Sequence, residues 1–270
     1  MPLKIRCFFK IFFVLCIFLC VLSLNKEAFC SNPSSNLFKF EENLKKNRFL
    51  LMISSWKRPI LLSGQILRFI NQTYDKYTIS VSIKGVPEDW IRSTFYKEWQ
   101  PFIDKGKLFI QFDENKDQLS NLLDTIRNIT LDEYDYFCKI DDDDWYAPNY
   151  LEEVNRYLNK EKGVDISSTR NMVILENGED QVKMNYSHLD WSGQTICVSR
   201  PMVKALLEIE KNPAAYELLY PASEVLRLRI RNEDALIHKF VRAIGGKPQE
   251  RDTPKTDLIY GRQYPSITRN

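Results

Sequence analysis

An excess of positive charge is missing from this sequence: 38 lysines and arginines face 36 aspartates and glutamates, for a formal net charge of +2. Nucleic-acid binding needs a basic stripe or patch, so that class of partner is set aside. Zinc-type spacing is missing too, since no Cys-x-x-Cys pair or Cys/His cluster occurs. Histidine is scarce: His188 has no supporting pattern, and His238 reads as a core or surface histidine rather than a metal ligand. No glycine-rich loop follows the first apolar run, which argues against a nucleotidyltransferase with a phosphate loop. Internal repeats are absent. What is present, 44% hydrophobic and 27% charged residues over 270 positions, fits one large globular domain with or without an appendage.

Cysteine is sparse in the body of the chain. Cys7, Cys16 and Cys20 lie in an N-terminal apolar segment and Cys30 borders it. Cys138 and Cys197 lie in apolar, strand-like runs, and buried free thiols are expected there rather than a disulfide. In the N-terminal segment, Lys4, Arg6 and Lys10 precede an uncharged run from Ile11 to Leu24. That run is short for a membrane span and typical of a signal peptide, although Phe8 and Phe9 lengthen it. Two readings stay open for residues 1–30: an uncleaved anchor, which is favoured, and a signal peptide cut near Ala28-Phe29-Cys30, which would release a secreted protein. Under either, the basic flank stays cytoplasmic and the rest of the chain lies on the far side, attached to the membrane if uncut. Asn71-Gln72-Thr73, Asn128-Ile129-Thr130 and Asn185-Tyr186-Ser187 match the glycosylation pattern and agree with a Golgi- or ER-like lumen.

Residues 31–47 are polar and read as a stem. From residue 48 strand and helix patterns alternate as far as 245, predicting an α/β domain with a mainly parallel sheet flanked by helices. Strands are expected over Phe49–Ser55, Tyr77–Ile83, Leu108–Phe112, Tyr134–Ile140 and Gln194–Val198, with a hairpin turning at Asn177-Gly178. Helices are expected from Pro59, over 118–128, after Pro148, from Pro201 and around Glu233. Residues 246–270 read as a loop or closing tail.

Four carboxylates, Asp141 to Asp144, follow the strand Tyr134–Ile140 directly. Adjacent carboxylates repel, the more so in a low dielectric, so the cluster calls for a cation or protons unless it is a solvated acidic turn. Ligands of open α/β sheets collect at the carboxyl ends of strands, and carboxylate oxygens suit Mg²⁺ or Mn²⁺, which could hold a phosphate-bearing substrate. A second acidic pair, Glu233-Asp234, fits either a general base or an acidic helix N-terminus.

The strand with its Asp141-Asp142-Asp143-Asp144-Trp145 end and Pro148 and Leu151 behind it resembles the Asp-x-Asp-Asp element of glycosyltransferase family 2. Ile53-Ser54-Ser55-Trp56-Lys57-Arg58-Pro59 and Phe69-Ile70-Asn71-Gln72-Thr73-Tyr74 are similar to that family's first strand, loop and helix end. Asn232-Glu233-Asp234-Ala235-Leu236 resembles its Glu-Asp motif. The resemblance runs from about Phe49 to Ile244 and implies the GT-A fold of nucleotide-sugar transferases. It further implies a metal-dependent inverting enzyme that moves one sugar from a nucleotide-sugar donor to a hydroxyl on a glycan or lipid-linked acceptor. By the same resemblance, Asp143 and Asp141 would hold the divalent cation. Ser54, Ser55, Arg58, Asp141 and Asp142 would line the donor, Asp234 would be the base with Glu233 positioning it, and Trp191 and Gly193 would shape the acceptor side. Two features depart from the family: the second strand ends without a carboxylate, and no glycine lies between Asp113 and Asn128. No Gln-x-x-Arg-Trp motif occurs, which favours single-sugar transfer over a processive synthase. A silent GT-A domain that only binds glycans or cations is the alternative.

Overall fold

The computed structural model describes residues 44–270 apart from 114–116, 162, 170, 177–178, 186–194, 213–214, 217–219, 232, 252–257 and 263–270. The anchor or signal segment, residues 31–43 of the stem, and Trp191 and Gly193 lie outside the described residues.

Strand β1 (Phe49–Trp56) starts the domain, with Phe49, Leu50, Leu51 and Ile53 all fully buried. Burial of successive residues means both faces of the strand are covered, the condition of a central parallel strand. Phe49, Leu51 and Ile53 join one apolar cluster, while Leu50 and Met52 join a second on the opposite face. Helix α1 (Pro59–Ile70) opens on a proline, which is pre-set for the first turn, and buries Leu62, Ile66 and Phe69 at helical spacing. Strand β2 (Tyr77–Lys84), helix α2 (Glu88–Ile103), strand β3 (Leu108–Asp113) and helix α3 (Gln118–Asp124) follow. Strand β4 (Tyr136–Ile140) carries the acidic cluster at its end, and β5 (Trp145–Tyr146) and α4 (Tyr150–Lys160) come next. The second half runs β6 (Ile166–Thr169), β7 (Asn171–Glu176), β8 (Glu179–Asn185), β9 (Cys197–Ser199), α5 (Arg200–Glu210), α6 (Ala222–Arg231), α7 (Glu233–Ala243), β10 (Pro248–Arg251) and β11 (Leu258–Arg262).

Seven strands form the main sheet in the order β10-β6-β9-β4-β1-β2-β3. All neighbouring pairs are parallel except those of β9, which runs antiparallel to both β4 and β6. Helices α1, α2 and α4 supply one apolar cluster, and α3, α5, α6 and α7 the other. A second, four-stranded sheet has the order β5-β11-β7-β8, with β7 and β8 paired as an antiparallel hairpin.

The mainly parallel α/β expectation holds, and so does the hairpin. Several details differ. The strand expected from Tyr134 begins at Tyr136, because a 3₁₀ turn (Leu131–Glu133) occupies the approach. The helix expected to reach Asn128 ends at Asp124 and passes into turns. The β9 run is shorter than expected, starting at Cys197 rather than Gln194. Helix α2 has no counterpart in the sequence reading. Its 16 residues bury only Ile91 and Trp99 fully, too sparse a stripe to register as apolar periodicity. The tail read as a loop contributes β10 and β11, whose pairing with distant strands leaves no local pattern. Cys138 and Cys197 form a disulfide, not free thiols. They are direct partners in the β4–β9 register with Cα atoms 4.0 Å apart, a juxtaposition that sequence separation hides.

Candidate active site

The sheet order reverses at β1: the chain builds outward through β2 and β3, then returns to place β4 on the other side of β1. In open α/β sheets this switch point leaves a crevice beyond the strand ends, which is where ligands bind. The parallel register pairs Ile53 with Ile140 as the last β1–β4 partners. Ser54-Ser55-Trp56 and Asp141-Asp142 therefore emerge side by side at the same edge.

Asp142 is buried, and its two oxygens are committed to the β1 loop. Ser55 Oγ donates to it at 2.5 Å, and the Arg58 guanidinium pairs with it at 2.7 Å. Arg58, at the head of α1, also pairs with the half-exposed Asp143. Burial pushes the Asp142 carboxyl up to about 7, against the pull of Arg58 and the Ser55 hydrogen bond. Burial alone would lower Arg58, but Asp142, Asp143 and Asp141 together hold it above its ordinary value. Asp142 thus orients Arg58, and Ser54, which precedes Ser55 in β1, is half-buried.

Asp144 is 1% exposed, and neither of its side-chain oxygens meets a hydrogen-bond donor among the described residues. Burial, then the charges of Asp141 and Asp143, push its carboxyl well above the carboxylate range. Oxygens of Asp141, Asp143 and Asp144 lie within 4.8 Å of one another. Three hard oxygen donors in one place, one of them a buried pair with nothing to satisfy it, fit a divalent cation such as Mg²⁺ or Mn²⁺. The sequence reading placed Asp143 and Asp141 at the cation, and the geometry adds Asp144.

Lys139 comes from the same strand and is 3% exposed. Its ammonium lies 2.9 Å from Asp141, 3.2 Å from Glu233 and 3.0 Å from Asp234. Burial pulls Lys139 down, yet these three carboxylates raise it well above its usual value. Glu233 and Asp234 begin α7, where acidic residues suit the helix dipole. Gln118 at the start of α3 donates to Glu233 at 2.9 Å. Burial pushes Asp234 up to about 7, with Lys139 opposing and Glu233 adding to the shift. The two acidic motifs, about ninety positions apart in the chain, thus meet across one lysine.

His238 is 8% exposed, on the buried side of α7 with Leu236, Ile237, Phe240 and Val241, and is a core histidine. Lys139 and Gln118 were given no role from the sequence, although a lysine inside an otherwise apolar central strand was a visible signal, and Asp144 was read only as a member of the acidic cluster. Trp56 was quoted only as part of a motif, but its indole is 53% exposed beside the crevice with Lys57 over its ring.

No protein-family model matches the chain, and no curated protein sequence does. Solved structures do match. One is the mannosyltransferase PcManGT from Pyrobaculum calidifontis, solved in complex with GDP-Man and Mn²⁺. It has TM-score 0.54 and 11% identity, over 83% of this chain and 59% of that one. Another is residues 1–349 of S. aureus TarS in complex with UDP, with TM-score 0.55 and 10% identity over 79% of this chain and 60% of that one. The chain therefore spans about three fifths of these neighbours' lengths. At such identity the likeness is one of fold, and the fold is of the GT-A glycosyltransferase type.

Proposed function

We propose that this protein is a glycosyltransferase that moves one sugar, with inversion, from a nucleotide-sugar donor to a hydroxyl on a glycan or lipid-linked acceptor. The observation that carries the proposal is the meeting of Asp141, Asp143 and the partnerless buried Asp144 with Glu233-Asp234 at the β1/β4 switch point. The neighbours solved with GDP-Man and Mn²⁺ and with UDP support a nucleotide diphosphate as the donor's handle.

The chemistry follows from the residues. The acceptor oxygen forms a bond to the anomeric carbon as the bond from that carbon to the diphosphate oxygen breaks, and the electron pair leaves with the diphosphate. The acceptor's proton passes to Asp234, whose raised affinity for protons near neutrality suits a base. Arg58, held by Asp142, adds positive charge where the leaving group develops negative charge. A divalent cation held by Asp141, Asp143 and Asp144 would supply further charge compensation there. Ser54 is assigned to the donor side of the crevice, where the buried Ser55 holds Asp142, and Trp191 and Gly193 are assigned to the acceptor side.

The N-terminal apolar segment would attach the protein to a membrane with the domain on the non-cytoplasmic side. The Cys138–Cys197 disulfide supports that placement, because such bonds persist in oxidising compartments. The test is calorimetric binding of UDP, GDP and CDP with and without Mn²⁺, to wild type and Asp143→Asn. One nucleotide should bind in a Mn²⁺-dependent manner, at least tenfold more weakly in the variant. No nucleotide binding by the folded protein would sink the proposal.

A further inference from the structure

Lys139 stands on β4, a strand paired on one side with β1 and on the other with β9. It shares a strand face with Phe137, which packs in the cluster built from α3, α5, α6 and α7. An ammonium in such a place is unfavourable unless charges and hydrogen bonds compensate it. Compensation for a structural ion pair would take one carboxylate. Lys139 has three, from two elements: Asp141 at the end of its own strand, and Glu233 and Asp234 at the head of α7. Glu233 is also held by Gln118. Among the described residues Asp234 has no comparable second anchor, and Lys139 is the cation that meets it.

We propose that Lys139 is a positioning residue whose ammonium ties the acceptor base Asp234 to Asp141 at the cation site, and so sets the spacing between base and donor. This rests on the transferase reading above. The physical reason is that Asp141, Glu233 and Asp234 repel one another once the ammonium is gone, and the repulsion is strong in a buried setting. The carboxylate free to move is Asp234. A displaced base loses rate without losing donor binding, because small misplacements near a reacting centre cost about 100-fold in turnover.

Lys139→Met and Lys139→Arg test this by two readouts. The first is a crystal structure of each variant. The second is kcat and KM for nucleotide release from UDP-glucose, UDP-N-acetylglucosamine and GDP-mannose with Mn²⁺. In Lys139→Met the Asp234 carboxylate should swing away from Asp141, with kcat falling about 100-fold and donor KM staying within about twofold. Lys139→Arg keeps the charge, so Asp234 should stay in the cluster and kcat should fall only about tenfold. A folded Lys139→Met protein with Asp234 in place, or with kcat near wild type, overturns the proposal. So does an equal loss in both variants, or a loss that appears in KM. If wild type turns over none of the donors, the transferase reading fails, and the crystal structures alone decide the role of Lys139. If Lys139→Met does not fold, Lys139→Arg decides by its crystal structure and kcat together: Asp234 displaced from Asp141 with kcat still near wild type overturns the proposal.

Discussion

Asp144 and Asp142 are both buried, yet their surroundings differ and so do their roles. Asp142 spends its oxygens on Ser55 and Arg58, whereas neither side-chain oxygen of Asp144 meets a hydrogen-bond donor among the described residues. A buried carboxylate without a partner is costly, so the site gains most from a cation there. None of this could be read from four identical letters in a row. Burial of a side chain depends on which strand turn it occupies, and the sequence ranks the four aspartates only through family resemblance. His238 shows the opposite case, a residue whose bland reading was right. Burial, helped by the charge of Arg242, pushes its imidazole down to about 3, against about 6.5 in an unfolded chain. As pH falls below about 6.5 the unfolded chain takes up a proton that the folded one refuses, so stability drops through the window down to about 3. His238→Leu should flatten the fall of melting temperature between pH 7 and pH 5. An unchanged slope would show that other groups govern it.

At the scale of elements, the strands at the switch point were legible because both faces of β1, β2 and β4 are covered, which writes continuous apolar runs. Helix α2, with few buried positions, and the short β10 and β11, which depend on remote partners, were not. Helix α3 is short, and its position matters because Gln118 in its first turn holds Glu233. Asp117 caps it, accepting from the Ser120 N–H at 2.9 Å, and is in turn held by Arg229. Asp117→Ala should cost about 1 kcal/mol of stability by loss of the cap, read as a lower midpoint in urea unfolding. A midpoint at the wild-type value would mean that the cap carries no weight.

Across the whole molecule, the disulfide joins β4, the strand that bears the acidic cluster, to β9, the antiparallel strand of the main sheet. It closes a separation of 59 residues, and constraining a loop of that size stabilises a fold by about 2–4 kcal/mol. Cys138→Ala combined with Cys197→Ala should lower the melting temperature by several degrees, and dithiothreitol should affect wild type but not the double variant. Equal melting of the two proteins would remove the disulfide from the account. The overall plan, an α/β sheet with acidic motifs at one edge, was foreseeable from alternating strand and helix patterns and from motif order. That Asp141 and Asp234 share a site was implied by the resemblance, but their meeting on Lys139 was not legible, since only the sheet order and the placement of α7 bring them to one lysine.

The most direct measurement is release of free nucleotide from UDP-glucose, UDP-N-acetylglucosamine and GDP-mannose by wild type and Asp234→Asn, each with Mn²⁺, with EDTA, and with Mn²⁺ restored. A metal-dependent transferase with Asp234 as base should release nucleotide from one donor, with EDTA abolishing and Mn²⁺ restoring the release and the variant about 100-fold or more slower. Release that ignores EDTA and Asp234→Asn alike, or none from any donor by a folded protein, would contradict this reading.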